Sequence, residues 1–130
     1  MSTKLVDVLI LAVFADGRID AQEAALLQTI FVHYPQFNDV SRDSFDAAQV
    51  KLRNRLQAGV TIRQIIEELG SVFTEDERNT AYAFAYEICA SNFELEKQEA
   101  DLLQDMQRAW HIKRGVVNAI KTSVQLRYGL

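Results

Sequence analysis

From Lys4 to Ala15 the chain is apolar nearly all round, with Asp7 as the interruption. A helix of that kind is buried on most sides, so this segment is expected at the centre of the fold. Next, Asp20-Ala21-Gln22-Glu23 has the D-x-x-E form of a capping box, and Ala24, Leu27, Ile30 and Phe31 follow at helical spacing. This second helix is expected to stop near Tyr34-Pro35. After a loop from Gln36 to Ser41, Ser41 can cap a third helix whose stripe is Phe45, Ala48, Leu52 and Leu56, ending at Gly59. Thr61 opens a fourth, with Ile62, Ile65, Ile66, Leu69 and Phe73, and the box Thr74-Glu75-Asp76-Glu77 restarts the chain as a fifth, Ala-rich and aromatic. A break near Ser91-Asn92 leads to a sixth helix through Leu102, Leu103 and Met106, ending around Trp110. The seventh carries Ile112, Val116, Ile120 and Val124 every fourth residue. No strand pattern appears, so the pattern predicts an all-α bundle of about seven helices, with residues 1–130 forming a single domain.

The chain also repeats itself. Ile19 to Gln28 reads IDAQEAALLQ and Leu95 to Gln104 reads LEKQEADLLQ, identical at six of ten positions at an offset of 76. Upstream of each lies an apolar helix, one ending at Ala15 before Asp16-Gly17 and the other at Ala90 before Ser91-Asn92. The expected unit is a duplicated helical hairpin. This bears on the first 15 residues, which loosely imitate a secretory signal. Asp7 breaks the apolar run, and a cleaved signal is not expected to have an internal counterpart.

Composition narrows the function classes. Only five Gly and one Pro favour helices with short links. The lone Cys89 excludes an internal disulfide and any Cys-rich zinc or iron–sulfur site, and fits a reducing, cytoplasmic setting. The run from Val8 to Ala15 is far short of the roughly 20 residues that span a bilayer, so no direct membrane span is expected. Net charge is −4 but unevenly spread: Glu75 to Asp105 holds nine acids against Arg78 and Lys97, whereas Met106 to Leu130 holds five bases and no acid. A phosphate backbone needs a broad basic face, so nucleic acid is not expected as a partner.

An apolar helix, then Ala15-Asp16-Gly17 with Ile19, Asp20 and Glu23, then a second acidic helix-loop-helix in an all-helical chain of this length, resembles the tellurite-resistance TerB family. That family includes TerB-like domains of some membrane-anchored DnaJ-type co-chaperones. The resemblance covers essentially the whole chain. It implies a bundle of about seven helices, no recognised catalysis and an acidic surface that favours divalent cations. It also implies a cytoplasmic role in stress or tellurite resistance, with a protein partner at or near the inner membrane. The second repeat departs from the family pattern, with Ser91-Asn92-Phe93 where the family often repeats Ala-Asp-Gly.

Two readings of the acidic loops stay open. Set against a calcium loop that takes ligands from positions 1, 3, 5, 7, 9 and 12, Glu23 at 12 puts Asp20 at 9, Gly17 at 6 and Asp16 at 5. Positions 1 and 3 fall on Ala12 and Phe14, which have no side-chain oxygen, so this is not a complete EF-hand. Helix capping accounts for Asp20 and Glu23 without a ligand, and an Asp-Gly turn accounts for Asp16. A composite site for Ca²⁺ or another divalent cation would need Asp16, Asp20 and Glu23 to face Asn92, Glu94, Glu96 and Glu99 across a pseudo-twofold. The competing expectation for the second set is a solvated acidic face.

Other candidates point to structure. His33 and His111 stand at helix ends without a second ligand at helical spacing, where a cation suits the helix C-terminus. Cys89 falls on the apolar side of its helix and reads as a small core residue, as do the aromatics Trp110, Tyr82, Phe84 and Tyr86. The bases of the last helix, Lys113, Arg114, Lys121 and Arg127, could meet anionic lipid, but a packed terminal helix is the expected role. There is no Ser-His-Asp pattern, phosphate-cradling loop or dinucleotide fingerprint. Reduction of tellurium oxyanions needs a thiol pair or a cofactor site, and one cysteine supplies neither. The expectation is a non-enzymatic interaction module, with a divalent-cation binder as the alternative.

Overall fold

Side-chain caps set where several helices begin. The computed structural model describes residues 2–13, 25, 29–30, 32–37, 40–90 and 97–129. Among them are six bounded α-helices: α1 (Ser2–Val13), α2 (Arg42–Gln57), α3 (Ile62–Val72), α4 (Glu75–Cys89), α5 (Lys97–Ala109) and α6 (Arg114–Tyr128). A 3-10 turn at Pro35–Phe37 precedes α2, and no strand occurs among the described residues. The chain is therefore all-helical, with six bounded helices where about seven are expected. Of the second expected helix, residues 25, 29–30 and 32–33 are helical and the rest lie outside the described residues.

The caps act where the sequence places them. Ser41 Oγ accepts the Ser44 N–H at the start of α2. Thr61 with Gln64 and Thr74 with Glu77 form reciprocal capping boxes for α3 and α4, each satisfying two backbone donors that the first helical turn leaves unpaired. The Glu77 carboxyl is held below its ordinary range, chiefly by the Thr74 backbone N–H it accepts.

Two helices end in Schellman motifs. After α2, Gly59 N–H donates to Leu56 O and Val60 N–H to Arg55 O, with Gly59 in the left-handed region at φ +94°. After α5 the same pair of bonds runs from His111 to Arg108 O and from Ile112 to Gln107 O, but the left-handed residue is His111, at φ +53°. A side chain there costs about 1–2 kcal/mol, while glycine loses more entropy on folding, about 0.5–1 kcal/mol. Because His111 is exposed, His111→Gly is expected to raise stability by about 0.5–1 kcal/mol in urea titration. A lower midpoint would mean that the imidazole holds a contact outweighing its backbone strain.

The nearly all-apolar α1 is the central helix. Leu5, Val6, Val8, Leu9, Ile10, Leu11, Ala12 and Val13 are each at most 2% exposed, and burying each of the larger ones contributes roughly 1.5–3 kcal/mol. It packs chiefly on α4 and on α2, while α4 also meets α5 and α6, and α3 meets α5. The expected stripes of α3 and α5 are buried apart from the half-buried Ile62, and Tyr82, Phe84, Tyr86, Cys89 and Trp110 all lie in the core. Burial pushes the Tyr82 phenol up to about 12, with Tyr86 and Cys89 adding to it. The last helix is packed through Val124, with Val116 and Ile120 half-buried, and Ile112, expected in its stripe, is buried just ahead of its first turn.

Two expectations are corrected. The segment read as a loop, Gln36 to Ser41, supplies a core residue: Phe37 is buried, edge-on to Phe84 at 5.6 Å, beside the Tyr34–Phe84 pair at 5.0 Å. The 3-10 turn that Pro35 opens aims that ring inward. Leu56, expected in the α2 stripe, is 40% exposed because it occupies the last turn, where the helix leaves the core.

Candidate functional site

Of the residues expected in a composite acidic site, Asp16, Asp20, Glu23, Asn92, Glu94 and Glu96 lie outside the described residues. Glu99 is described, and it corrects the solvated-face expectation at that position. It sits in the first turn of α5 and is 1% exposed. The reason is its register: Glu99, Leu102, Leu103 and Met106 stand at i, i+3, i+4 and i+7, so the carboxylate heads the apolar stripe. Among the described residues no group of three or more His, Cys, Asp or Glu side chains converges. His33 and His111 are both exposed.

The core holds a second buried acid. Glu87, inside the aromatic run of α4, is 8% exposed. Arg127 donates to its Oε1, and Tyr128 Oη lies 3.5 Å from the same oxygen, both from the last turn of α6. Removing a buried carboxylate's partner leaves its desolvation uncompensated, so this contact ties the end of α6 to α4. With half of the Arg127 side chain in solvent, the pair belongs to the edge of the core rather than to a closed polar site.

A concavity lined by charged and apolar side chains lies between α1, α2 and α3. It is a cleft of about 300 Å³, at the lower end of the range for small-ligand sites. The consecutive helices α2 and α3 are not among the closely packed pairs; between them the cleft opens onto α1. Ile10 and Leu11 of α1, Leu52 of α2, and Ile65 and Leu69 of α3 supply apolar lining. Lys4, Asp7, Lys51, Arg55 and Glu68 supply the charges. Arg55 Nη2 lies 2.8 and 2.7 Å from the two Glu68 oxygens and so joins α2 to α3.

Asp7, read in the sequence only as a break in an apolar run, faces this cleft. Its side chain is 18% exposed, and Lys51 Nζ stands 4.0 Å away, beyond hydrogen-bond reach. Burial raises the Asp7 carboxyl above its ordinary range, outweighing the opposing pull of Lys51, Lys4 and Arg55. The sequence does carry a signal for the cleft. Lys4, Asp7 and Leu11 share one face of α1, and Lys51 and Arg55 flank Leu52 at helical spacing on α2. Nothing local says that these faces meet.

Among the described residues no helix is long and apolar enough to cross a membrane. Comparison with models of known protein families, with curated proteins and with solved structures found no match to this chain.

Proposed function

We propose that this chain is a non-enzymatic, TerB-like interaction module that serves stress or tellurite resistance through a protein partner at the membrane. The observation that carries the reading is the pairing of α1 with α4, which are chief packing partners in the bundle. These are the helices that lead into the two sequence repeats, IDAQEAALLQ and LEKQEADLLQ. A duplicated hairpin docked through its first helices would account for both facts, and the motif Ala15-Asp16-Gly17 with Ile19 and Glu23 supplies the resemblance to the TerB family. In that arrangement α1 is structural, and recognition falls to the surfaces of the outer helices and the acidic loops. Pull-down from the membrane and soluble fractions of cells, with and without a chelator, tests the reading. A partner enriched from the membrane fraction over an unrelated helical-bundle control is the expected result. Equal recovery on both baits in every fraction would overturn it.

A divalent-cation binder is the second reading, favoured by Glu99, a carboxylate held in the core in the first turn of α5. On this reading millimolar calcium raises the melting temperature, because a ligand that binds only the native state stabilises it by mass action. Asp16→Asn combined with Asp20→Asn abolishes the rise. A flat melting temperature across the titration rejects cation binding and leaves the interaction reading in place.

A further inference from the structure

The cleft between α1, α2 and α3 joins an apolar floor to a cationic mouth, and its charges are not equally committed. Arg55 and Glu68 satisfy one another across the α2–α3 side. The Lys4 ammonium makes no hydrogen bond or salt bridge among the described residues, and that of Lys51 reaches Asp7 only at 4.0 Å. Lys4 lies one turn before Asp7 on α1, and Lys51 Nζ stands 4.0 Å from the Asp7 carboxyl, so both lysines border the same part of the cleft. Three cations against two acids make this spot locally positive on a chain whose net charge is −4. Below it lie Leu11, Leu52 and Leu69: Leu52 is half-buried, while Leu11 and Leu69 are 2% and 5% exposed, so the floor is a narrow apolar strip, and the lining residue Val72 is 58% exposed.

We propose that this cleft binds a small amphiphilic carboxylate, its apolar tail lying on the floor and its head held between Lys4 and Lys51. The inference goes beyond the interaction reading, which assigns the cleft no ligand. An ammonium has three donors and no acceptor, so two of them bordering one opening suit an anionic oxygen group. The tail's burial supplies affinity in proportion to the apolar area covered, and the head supplies selectivity. Asp7 opposes the head: its carboxylate competes for Lys51 and repels the incoming charge.

Calorimetric titration of the full chain with decanoate, decanol and decylammonium, each below its aggregation threshold, separates tail from head. Decanoate is expected to bind one to one and about tenfold tighter than decanol, since each partly exposed ion pair is worth only a few-fold. Lys4→Gln with Lys51→Gln should bring decanoate down to the level of decanol while leaving decanol unchanged. Asp7→Asn should tighten decanoate and leave decanol near its wild-type affinity. Decylammonium binding as tightly as decanoate, or more tightly, would overturn the proposal and transfer head recognition to Asp7. Absence of saturable binding by any of the three would reduce the cleft to a packing gap between α2 and α3. The substituted lysines are surface residues, and unchanged circular dichroism of the variants distinguishes lost binding from lost fold.

Discussion

Trp110→Ala is expected to cost about 3–5 kcal/mol of folding stability, the range for removing a large aromatic from a packed core. That corresponds to a fall in melting temperature on the order of 15 °C for a domain of this size. Trp110 is 1% exposed at the C-terminal end of α5, where it closes the interface between α5 and α3. Its Nε1 donates to the Ile66 carbonyl at 2.8 Å, and its ring stands edge-on to Phe73 at 5.9 Å. The hydrogen bond is the smaller part. Ile66 O already accepts within the helix by its i to i+4 geometry, so losing the indole does not leave it unpaired. Most of the loss comes from the cavity beside Phe73. Trp110→Phe should therefore cost clearly less than the alanine variant, by chemical or thermal unfolding. Equal losses for the two would show that the indole N–H, and not the ring volume, holds α5 to α3.

Gly70→Ala should destabilise the protein by about 2 kcal/mol, against the sign expected of that change inside a helix. Helix propensity alone favours alanine by roughly 1 kcal/mol. A Cβ at Gly70, however, would stand 2.5 Å from Trp110 Cδ1 and 2.8 Å from its Nε1. No side-chain flexibility relieves this, because the indole is pinned by its bond to Ile66 and walled by Phe73. Overpacking of this kind costs about 1–3 kcal/mol, and pushing the ring outward would add lost burial. The steric term exceeds the propensity gain. Coupling is the sharper measurement: in a Trp110→Ala background the same substitution should become neutral or stabilising. A stabilising Gly70→Ala in the wild-type background would mean that the indole does not approach α3 this closely.

These two positions mark where sequence reading stops. Trp110 is recognisable as core from its spacing, and Gly70 is not recognisable as anything, since a glycine inside the stripe of α3 is only a weak spot until the indole is placed on it. Glu99 is an intermediate case. Its register three, four and seven residues ahead of Leu102, Leu103 and Met106 was available in the sequence, but the surrounding run of acids suggested solvent. Glu87 lies in an aromatic run with no other acid beside it, where nothing local pairs it with Arg127, and Phe37 is hidden in a polar loop by the absence of any period. For the candidate acidic site, only Glu99 falls among the described residues, so its assembly across the two repeats belongs to the proposal.

By itself the sequence determined the helical class, the boundaries written by Ser41, Thr61, Thr74 and Gly59, and the central place of α1. Capping and amphipathic periodicity act within about one turn of the chain, so a one-dimensional reading suffices. Only the tertiary structure decided that Trp110 bonds Ile66 across 44 residues and that Glu87 meets Arg127 across 40. It likewise decided that Lys4, Lys51 and Leu69 border a common cleft. Such contacts depend on how three helices cross, and helix faces that are alike in period can be brought together in many ways until side-chain volumes select one.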